Sequence, residues 1–290
     1  MRLGDEFASF ALSLAMCACG PDVLEPRDPT PGVPHFKVAT YNILGISASD
    51  PATLATIGAT NAEVIALQEV TDEWMVSIRQ RYSADYPYML FKPVHGAAGL
   101  GVISKYPLSG SELLFVNDWH PAWHVGAQTP AGWLQLLIVH LRSKFTGRDD
   151  PVEAYVNVDS DHLYQTQQYV AHSIEDVPTL VLGDFNEDPE GDSVRYLESM
   201  GYENVLPLYH PGQFTWHQAS LGDQMDMTID HILFNDFLES LNAYVLNRGN
   251  SDHLPVIGHF EANRPWPELD LTPSSSEALE VEEAPSATQN

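Results

Sequence analysis

Seven short apolar runs, each bounded by polar or turn-forming residues, constrain this chain more than any other feature. They are Phe36–Ile43, Val64–Leu67, Gly101–Ser104, Leu134–Leu141, Thr179–Leu182, Ile229–Phe234 and Pro255–Phe260. Short length and β-branched content make them buried strands. Helical spacing lies between some of them, at Pro51–Thr60, Asp72–Tyr82, Asp161–Glu175 and Ser193–Met200. Asp50-Pro51 and Thr71-Asp72 suit helix starts. Strands dominate and do not alternate strictly with helices. A two-sheet core with flanking helices therefore fits better than a wound parallel sheet.

The chain has 290 residues, enough for one core that needs no disulfide staples. No apolar run reaches the 18 or so residues of a membrane-spanning helix. Forty acidic residues against 13 basic ones give a net charge of −27, spread through the body of the chain. Such a surface repels bulk nucleic acid and anionic lipid, whose binding needs clustered Lys and Arg. It does not exclude an enzyme that meets phosphate through a metal ion.

The ends differ from the middle. Residues 1–19 read as a lipoprotein-type export signal: Phe7–Cys19 is short and apolar, follows Arg2, and ends in Cys17 and Cys19, the only cysteines. Either cysteine suits lipid attachment, which places the protein in a bacterial cell envelope or outside the cell. A buried first helix with two free thiols is the plainer alternative. Residues 20–35 hold five prolines between Pro21 and Pro34 and read as a linker. Residues 36–262 form the folded domain, and the Pro-, Ser- and Glu-rich residues 263–290 read as an acidic disordered tail.

Polar residues recur at the ends of the apolar runs. Asn42, Glu69, His140, Asp184 with Asn186, and Asp252 with His253 all sit there, which directs them to a shared rim. Singly, each is an ordinary turn former. As a set, with Gln68-Glu69, Gly101–Pro107, His140-Leu141, Gly183-Asp184-Phe185-Asn186, Thr215-Trp216, Ile229-Asp230-His231-Ile232 and Ser251-Asp252-His253-Leu254-Pro255, they resemble the endonuclease/exonuclease/phosphatase superfamily of metal-dependent phosphoesterases. The resemblance runs from about Phe36 to Phe260. It implies an α/β four-layer sandwich, two packed mixed β-sheets flanked by helices.

Phosphate-ester cleavage needs charge neutralised on the phosphoryl oxygens and a more basic attacking water. Beside the resemblance, the groups take roles. Glu69 is the first metal ligand, with Asn42 and Asp252, in an oxygen-rich set suited to Mg²⁺ or Mn²⁺. His140 and Asn186 donate to phosphoryl oxygens. Asp184 shares their direction in an extended segment and orients or deprotonates water. His253 pairs with Asp230, so either Asp184 or His253 is the base. Arg142 and Lys144 follow His140 and are candidates for substrate contact, or simply solvated loop charges.

Two features depart from this pattern. His231 and Met225–Thr228 stand where relatives often carry an aromatic residue and an Arg, and a Trp-Cys-Asp-Arg run is absent, which disfavours inositol-polyphosphate phosphatases. Asp118–Trp133 holds three Trp and two His and reads as a long loop. It is either a lid or platform in which Trp123 meets substrate, or an aromatic plug. His120 and His124 have helical metal spacing, but Pro121 argues against a helix there.

The expected activity is an exported, metal-dependent nuclease or general phosphodiesterase acting on oligonucleotides, nucleotides or small diesters, as a monomer without extended duplex-DNA binding. Sphingomyelinase-like phospholipase and phosphomonoesterase are the alternatives within the class. A binding protein on an inactive enzyme fold and a subunit of a genotoxin-like assembly lie outside it.

Overall fold

The computed structural model describes residues 23–45, 50–94, 96–116, 120–143, 151–220 and 223–268, with backbone only at 151–159, 218–220 and 223–225. The export-signal segment and Lys144 lie outside the described residues. Two six-stranded mixed sheets form the body. The first contains β1 (His35–Asn42), β2 (Val64–Gln68), β3 (Tyr88–Lys92), β4 (Leu100–Ser104), β13 (Leu238–Val245) and β14 (Val256–Ala262), in the order β13-β14-β1-β2-β4-β3. The second contains β5 (Leu108–Leu114), β6 (Ala122–Thr129), β7 (Gly132–His140), β8 (Thr179–Asp184), β9 (Glu203–Asn204) and β12 (Asp230–Phe234), in the order β5-β6-β7-β8-β12-β9. Each sheet has one parallel pair, β1 with β2 and β7 with β8. A separate hairpin joins β10 (Trp216–Ser220) to β11 (Asp223–Met227).

Side-chain parity makes the layers. Along β1, Phe36 and Val38 face the second sheet, where they meet Leu134, Leu136, Ile138, Leu180, Leu182 and Ile232. The alternate residues Ala39 and Tyr41 face outward and pack on α1 (Pro51–Ala59) and α2 (Asp72–Tyr82) through Ile57, Trp74 and Ile78. Leu137, Val139 and Val181 do the same on the far side, against α3 (Pro151–Val170) and α4 (Asp192–Ser199) through Tyr169, Val194 and Leu197. The expected four-layer sandwich is thus the observed one. The short α5 (Val205–Tyr209) precedes the β10–β11 hairpin. Capping follows the sequence: Asp50 and Thr71 accept from Thr53 N and Trp74 N at the starts of α1 and α2. Among the described residues no helix is long and apolar enough to cross a membrane.

Several expectations change. Among the described residues Asp118–Trp133 is not a long loop: Ala122–Thr129 is β6, turning at Thr129–Gly132 into β7, and Asp118 and Trp119 lie outside the described residues. Trp123 is 1 % exposed in the inter-sheet core, and its Nε1 donates to the Ser111 carbonyl at 2.8 Å, so it cannot line the mouth of a site. His124 lies on that strand and no helical metal pair forms. At the N-terminus, the described part of the proline-rich segment is fastened to the fold. Leu24 N donates to Leu208 O at 2.7 Å, and Arg27 pairs with Glu239 and Glu261 at 2.7 and 2.9 Å. Past residue 262, Trp266 packs edge-on against Phe36 and donates to Phe237 O, so the start of the expected tail belongs to the core's rim. Helix α3 begins before the expected Asp161.

Candidate active site

The apolar rows that fill the sandwich each end in one polar residue. On β7 the row Leu134, Leu136, Ile138 ends at His140; on β8 Leu180, Leu182 ends at Asp184; on β12 Phe234, Ile232 ends at Asp230. Strand register sets these abreast, with His140 opposite Asp184 and Asp184 opposite Asp230. From the other sheet, β1 ends its row at Asn42, and Asn42 Nδ2 donates to Asp184 Oδ2 at 3.0 Å. Gly183 is required by this packing. Its φ of +147° is open to glycine, and a Cβ there would run into the Val139 carbonyl.

Asp184 is the centre of a buried network. Its Oδ1 accepts from Asn186 N at 2.9 Å, and its Oδ2 lies 3.4 Å from His140 Nε2 and 3.6 Å from His253 Nε2. His253 Nδ1 donates to Asp230 Oδ2 at 2.9 Å, and Thr215 Oγ1 donates to the same oxygen at 2.7 Å. Thr215 also accepts from the backbone N–H groups of Ile229 and Asp230, so it locks that carboxylate in place. Burial opposes charge on His253, but Asp230, Asp184 and Asp252 outweigh it and raise the imidazole to about 10. Burial lifts Asp184 to about 7, against the pull of His253 and of hydrogen bonds from Asn42 and Asn186. His140 is held well below its usual value by burial and then by His120 and His253. Its Nδ1 donates to the Ala97 carbonyl at 3.0 Å, and the His120 ring rests on it at 4.2 Å.

A second cluster adjoins the first through Asn42. Glu69 follows β2 in a left-handed conformation, φ +61°, which turns its side chain out of the strand row. Its Oε2 accepts from Gly45 N at 2.8 Å and its Oε1 from Asn42 Nδ2 at 3.2 Å. The Asn42 oxygen accepts from Leu44 N, leaving one lone pair for a cation. Ser251 donates to Asn42 O, bringing the next residue, Asp252, to the same end of the sandwich. Asp252 Oδ2 accepts from Trp216 Nε1 at 3.0 Å, while its Oδ1 is buried without a partner. An orphaned buried carboxylate oxygen at the end of the sandwich that also carries Glu69 and the Asn42 amide oxygen suits a hard divalent cation. Asp184, Asp230 and His253 also bring ligand atoms within 4.8 Å of one another. There the imidazole already bridges the carboxylates, so a cation would have to displace its protons. A cleft of about 440 Å³ opens on Glu69, lined also by Asp72, Glu73, Val94 and Ala97.

The structure therefore brings together Asn42, Glu69, His140, Asp184, Asn186, Asp230, Asp252 and His253. It does not bring Trp123, which is core. Arg142 is 5 % exposed with its guanidinium 3.5 Å from Asp161, rather than a solvated rim charge. Thr215 and His120 were not singled out by sequence for their contacts to Asp230 and His140. Thr215 stands in the motif set, and His120 is marked in the sequence only by its spacing from His124, which does not point to His140.

The sequence profile of the Endonuclease/Exonuclease/phosphatase family matches residues 39–253, from β1 to His253. The chain belongs to this family. Endonuclease/Exonuclease/phosphatase proteins are divalent-metal-dependent enzymes that hydrolyse phosphate esters, and this chain is a hydrolase of that class. No curated protein matches it significantly. Among solved structures it resembles an endonuclease/exonuclease/phosphatase from Beutenbergia cavernae DSM 12333, at 17 % identity over 80 % of this chain and 72 % of that one, with a TM-score of 0.59. D. rerio TDP2 complexed with a single-strand DNA product matches at 14 % identity, 78 % and 98 % coverage and a TM-score of 0.60. ANGEL2, a 2′,3′-cyclic phosphatase in complex with adenosine-2′,3′-vanadate, matches at 16 % identity, 83 % and 100 % coverage and a TM-score of 0.57. At these identities the likeness speaks for the fold.

Proposed function

We propose that the protein is an exported phosphodiesterase that uses Mg²⁺ or Mn²⁺ and acts on short single-stranded nucleic acids or other small phosphodiesters. The observation that carries the reading is the convergence on Asp184 of Asn42 and of His253, which leads into β14, from one sheet and of His140 from the other. Glu69 and Asp252 would hold the cation, together with the Asn42 oxygen. When bound, the cation supplies charge neutralisation at the phosphoryl oxygens and lowers the pKa of water.

The chain's own residues do the rest. Asp184 accepts the proton of the attacking water. His253 donates Nδ1–H to Asp230 and stands 3.6 Å from Asp184, and with its pKa raised to about 10 by these carboxylates it presents positive charge to the phosphate rather than serving as base. Asn186 spends one amide hydrogen on Leu141 O at 2.9 Å and has the other for a phosphoryl oxygen. His140 commits Nδ1–H to Ala97, so its Nε2 is the atom that takes a proton when an anion arrives. The acidic cleft beside Glu69 supports small substrates over polyanions. The TDP2 and ANGEL2 likenesses support phosphodiester or cyclic-phosphate chemistry on this framework.

The test is hydrolysis of bis(p-nitrophenyl) phosphate, single-stranded oligonucleotides, nucleotides and sphingomyelin with Mn²⁺ or Mg²⁺. EDTA-sensitive turnover of a diester is expected, and Asp184→Ala should lose several orders of magnitude with its fold intact. Preference for sphingomyelin would make it a phospholipase, and preference for monoesters a phosphatase. No EDTA-sensitive turnover on any of them would refute the reading. Export is tested by replacing both Cys17 and Cys19 with Ser. Release from membranes is expected, and unchanged association contradicts a lipid anchor.

A further inference from the structure

Behind the wall of the site lies a buried polar pair that the proposed reaction does not use. Glu187 directly follows Asn186, and both it and His162 of α3 are fully buried. A carboxylate so placed is costly unless its lone pairs are taken. Its Oε1 accepts from His162 Nδ1 at 3.0 Å, and its Oε2 from Ser193 N, in the first turn of α4, at 2.9 Å. The other imidazole nitrogen, His162 Nε2, lies 2.6 Å from the Arg142 carbonyl. Carbonyl and carboxylate only accept, so both ring nitrogens donate. Gly191 leaves the space for this arrangement, since a Cβ there would stand 2.5 Å from Glu187 Oε2.

The contacts run toward the reacting groups. Arg142 is two residues past His140, and Glu187 is one past Asn186. The Glu187 carbonyl accepts from His231 Nε2 at 2.8 Å, one residue past Asp230. Asn204 Nδ2 then donates to His231 Nδ1 at 3.0 Å. The strand ends that carry His140, Asp184 with Asn186, and Asp230 are thus tied to the Glu187–His162 pair. Packing alone does not call for this, because α3 and α4 already share the apolar cluster of Tyr169, Val170, Val194 and Leu197.

We propose that Glu187 and His162 are a positioning pair that sets the spacing of His140, Asn186 and Asp230 around the scissile phosphate. The proposal rests on the phosphoesterase reading for its kinetic consequence, not for its geometric one.

Glu187→Gln keeps the volume but removes the carboxylate charge that strengthens the bonds from His162 and Ser193. His162→Gln can donate to only one of two acceptors. With bis(p-nitrophenyl) phosphate and Mn²⁺, kcat should fall about 10- to 100-fold in Glu187→Gln, and less in His162→Gln. KM and Mn²⁺ affinity should stay within about twofold, since Glu69 and Asp252 lie on the other cluster. In the metal-free protein the His140 imidazole resonances, assigned with His140→Gln, should shift in both variants although neither residue touches His140. A kcat within about twofold of wild type, at a temperature where circular dichroism shows the variant folded, overturns the proposal. If Glu187→Gln does not fold, His162→Gln decides by the same criterion. If the wild-type protein shows no turnover, the functional reading fails, and the His140 resonances alone decide: unmoved, they refute the positioning role.

Discussion

Asn42 Nδ2 donates at once to Asp184 Oδ2, 3.0 Å away, and to Glu69 Oε1, 3.2 Å away. One amide nitrogen thereby joins the two sheets and the two carboxylate clusters. Asn42→Ala should leave both carboxylates without that donor and free to drift apart. Turnover should fall about 100-fold or more, with KM changed less than kcat. Steady-state kinetics on a small diester checks this. An equal loss in Asn42→Asp would show that the amide, not merely a polar group, is needed.

The oxygens of Glu69 and Asp252 set the response to metal removal. Chelation with EDTA should abolish turnover, and Mn²⁺ or Mg²⁺ should restore it. Glu69→Gln removes a full negative charge from the ligand set, so Mn²⁺ affinity should drop by about tenfold or more. Calorimetric titration with Mn²⁺ measures it. If the ion instead sits between Asp184, Asp230 and His253, Glu69→Gln will leave affinity unchanged and Asp230→Asn will weaken it.

Much of this architecture is legible in the sequence, for a physical reason. Buried strands alternate their side chains, so a polar residue that ends an inward-facing row can lie beside the polar ends of neighbouring rows and pair with them. Asn42, His140, Asp184 and Asp230 all do. The half-exposed strands β3, β5 and β13 carry no such run and pass unnoticed. Strand β6 is hidden by composition, since Trp, His and Gly look like loop residues. Yet Trp123, Val125 and Ala127 alternate inward, and Gly126 makes room for Trp133, whose indole a Cβ would strike. What sequence does not carry is distance: nothing in it shows that Thr215 grips Asp230, that His120 rests on His140, or that Glu187 faces His162.

His259 gives the fold a pH dependence away from the site. Its Nε2 lies 3.0 Å from His35 Nδ1, and burial, Lys37 and His35 push it from 6.5 down to about 4, against Glu63 and Glu261. The unfolded chain therefore binds the proton more readily. Stability from the neutral ring is complete above pH 6.5 and is lost as pH falls towards 4. Because the ring is partly solvated, the loss should be no more than about 1 kcal/mol. Urea unfolding of wild type and His259→Gln between pH 4 and 7 measures it. The difference between them should shrink as pH falls through that window and stay flat below it. A constant difference would remove His259 as the cause.

Trp123 separates a platform from a core residue. It lies against Leu113 of the neighbouring strand and spends its indole N–H on the Ser111 carbonyl. Trp123→Ala would open a large cavity between the sheets and leave that carbonyl unsatisfied. The cost should be about 3–5 kcal/mol, the range for truncating a buried aromatic. Denaturant unfolding gives that number. KM of the folded fraction should be unchanged, because the side chain is 1 % exposed and cannot touch substrate. A raised KM with wild-type stability would mean that the β5–β6 edge opens in solution and that the indole reaches the site after all.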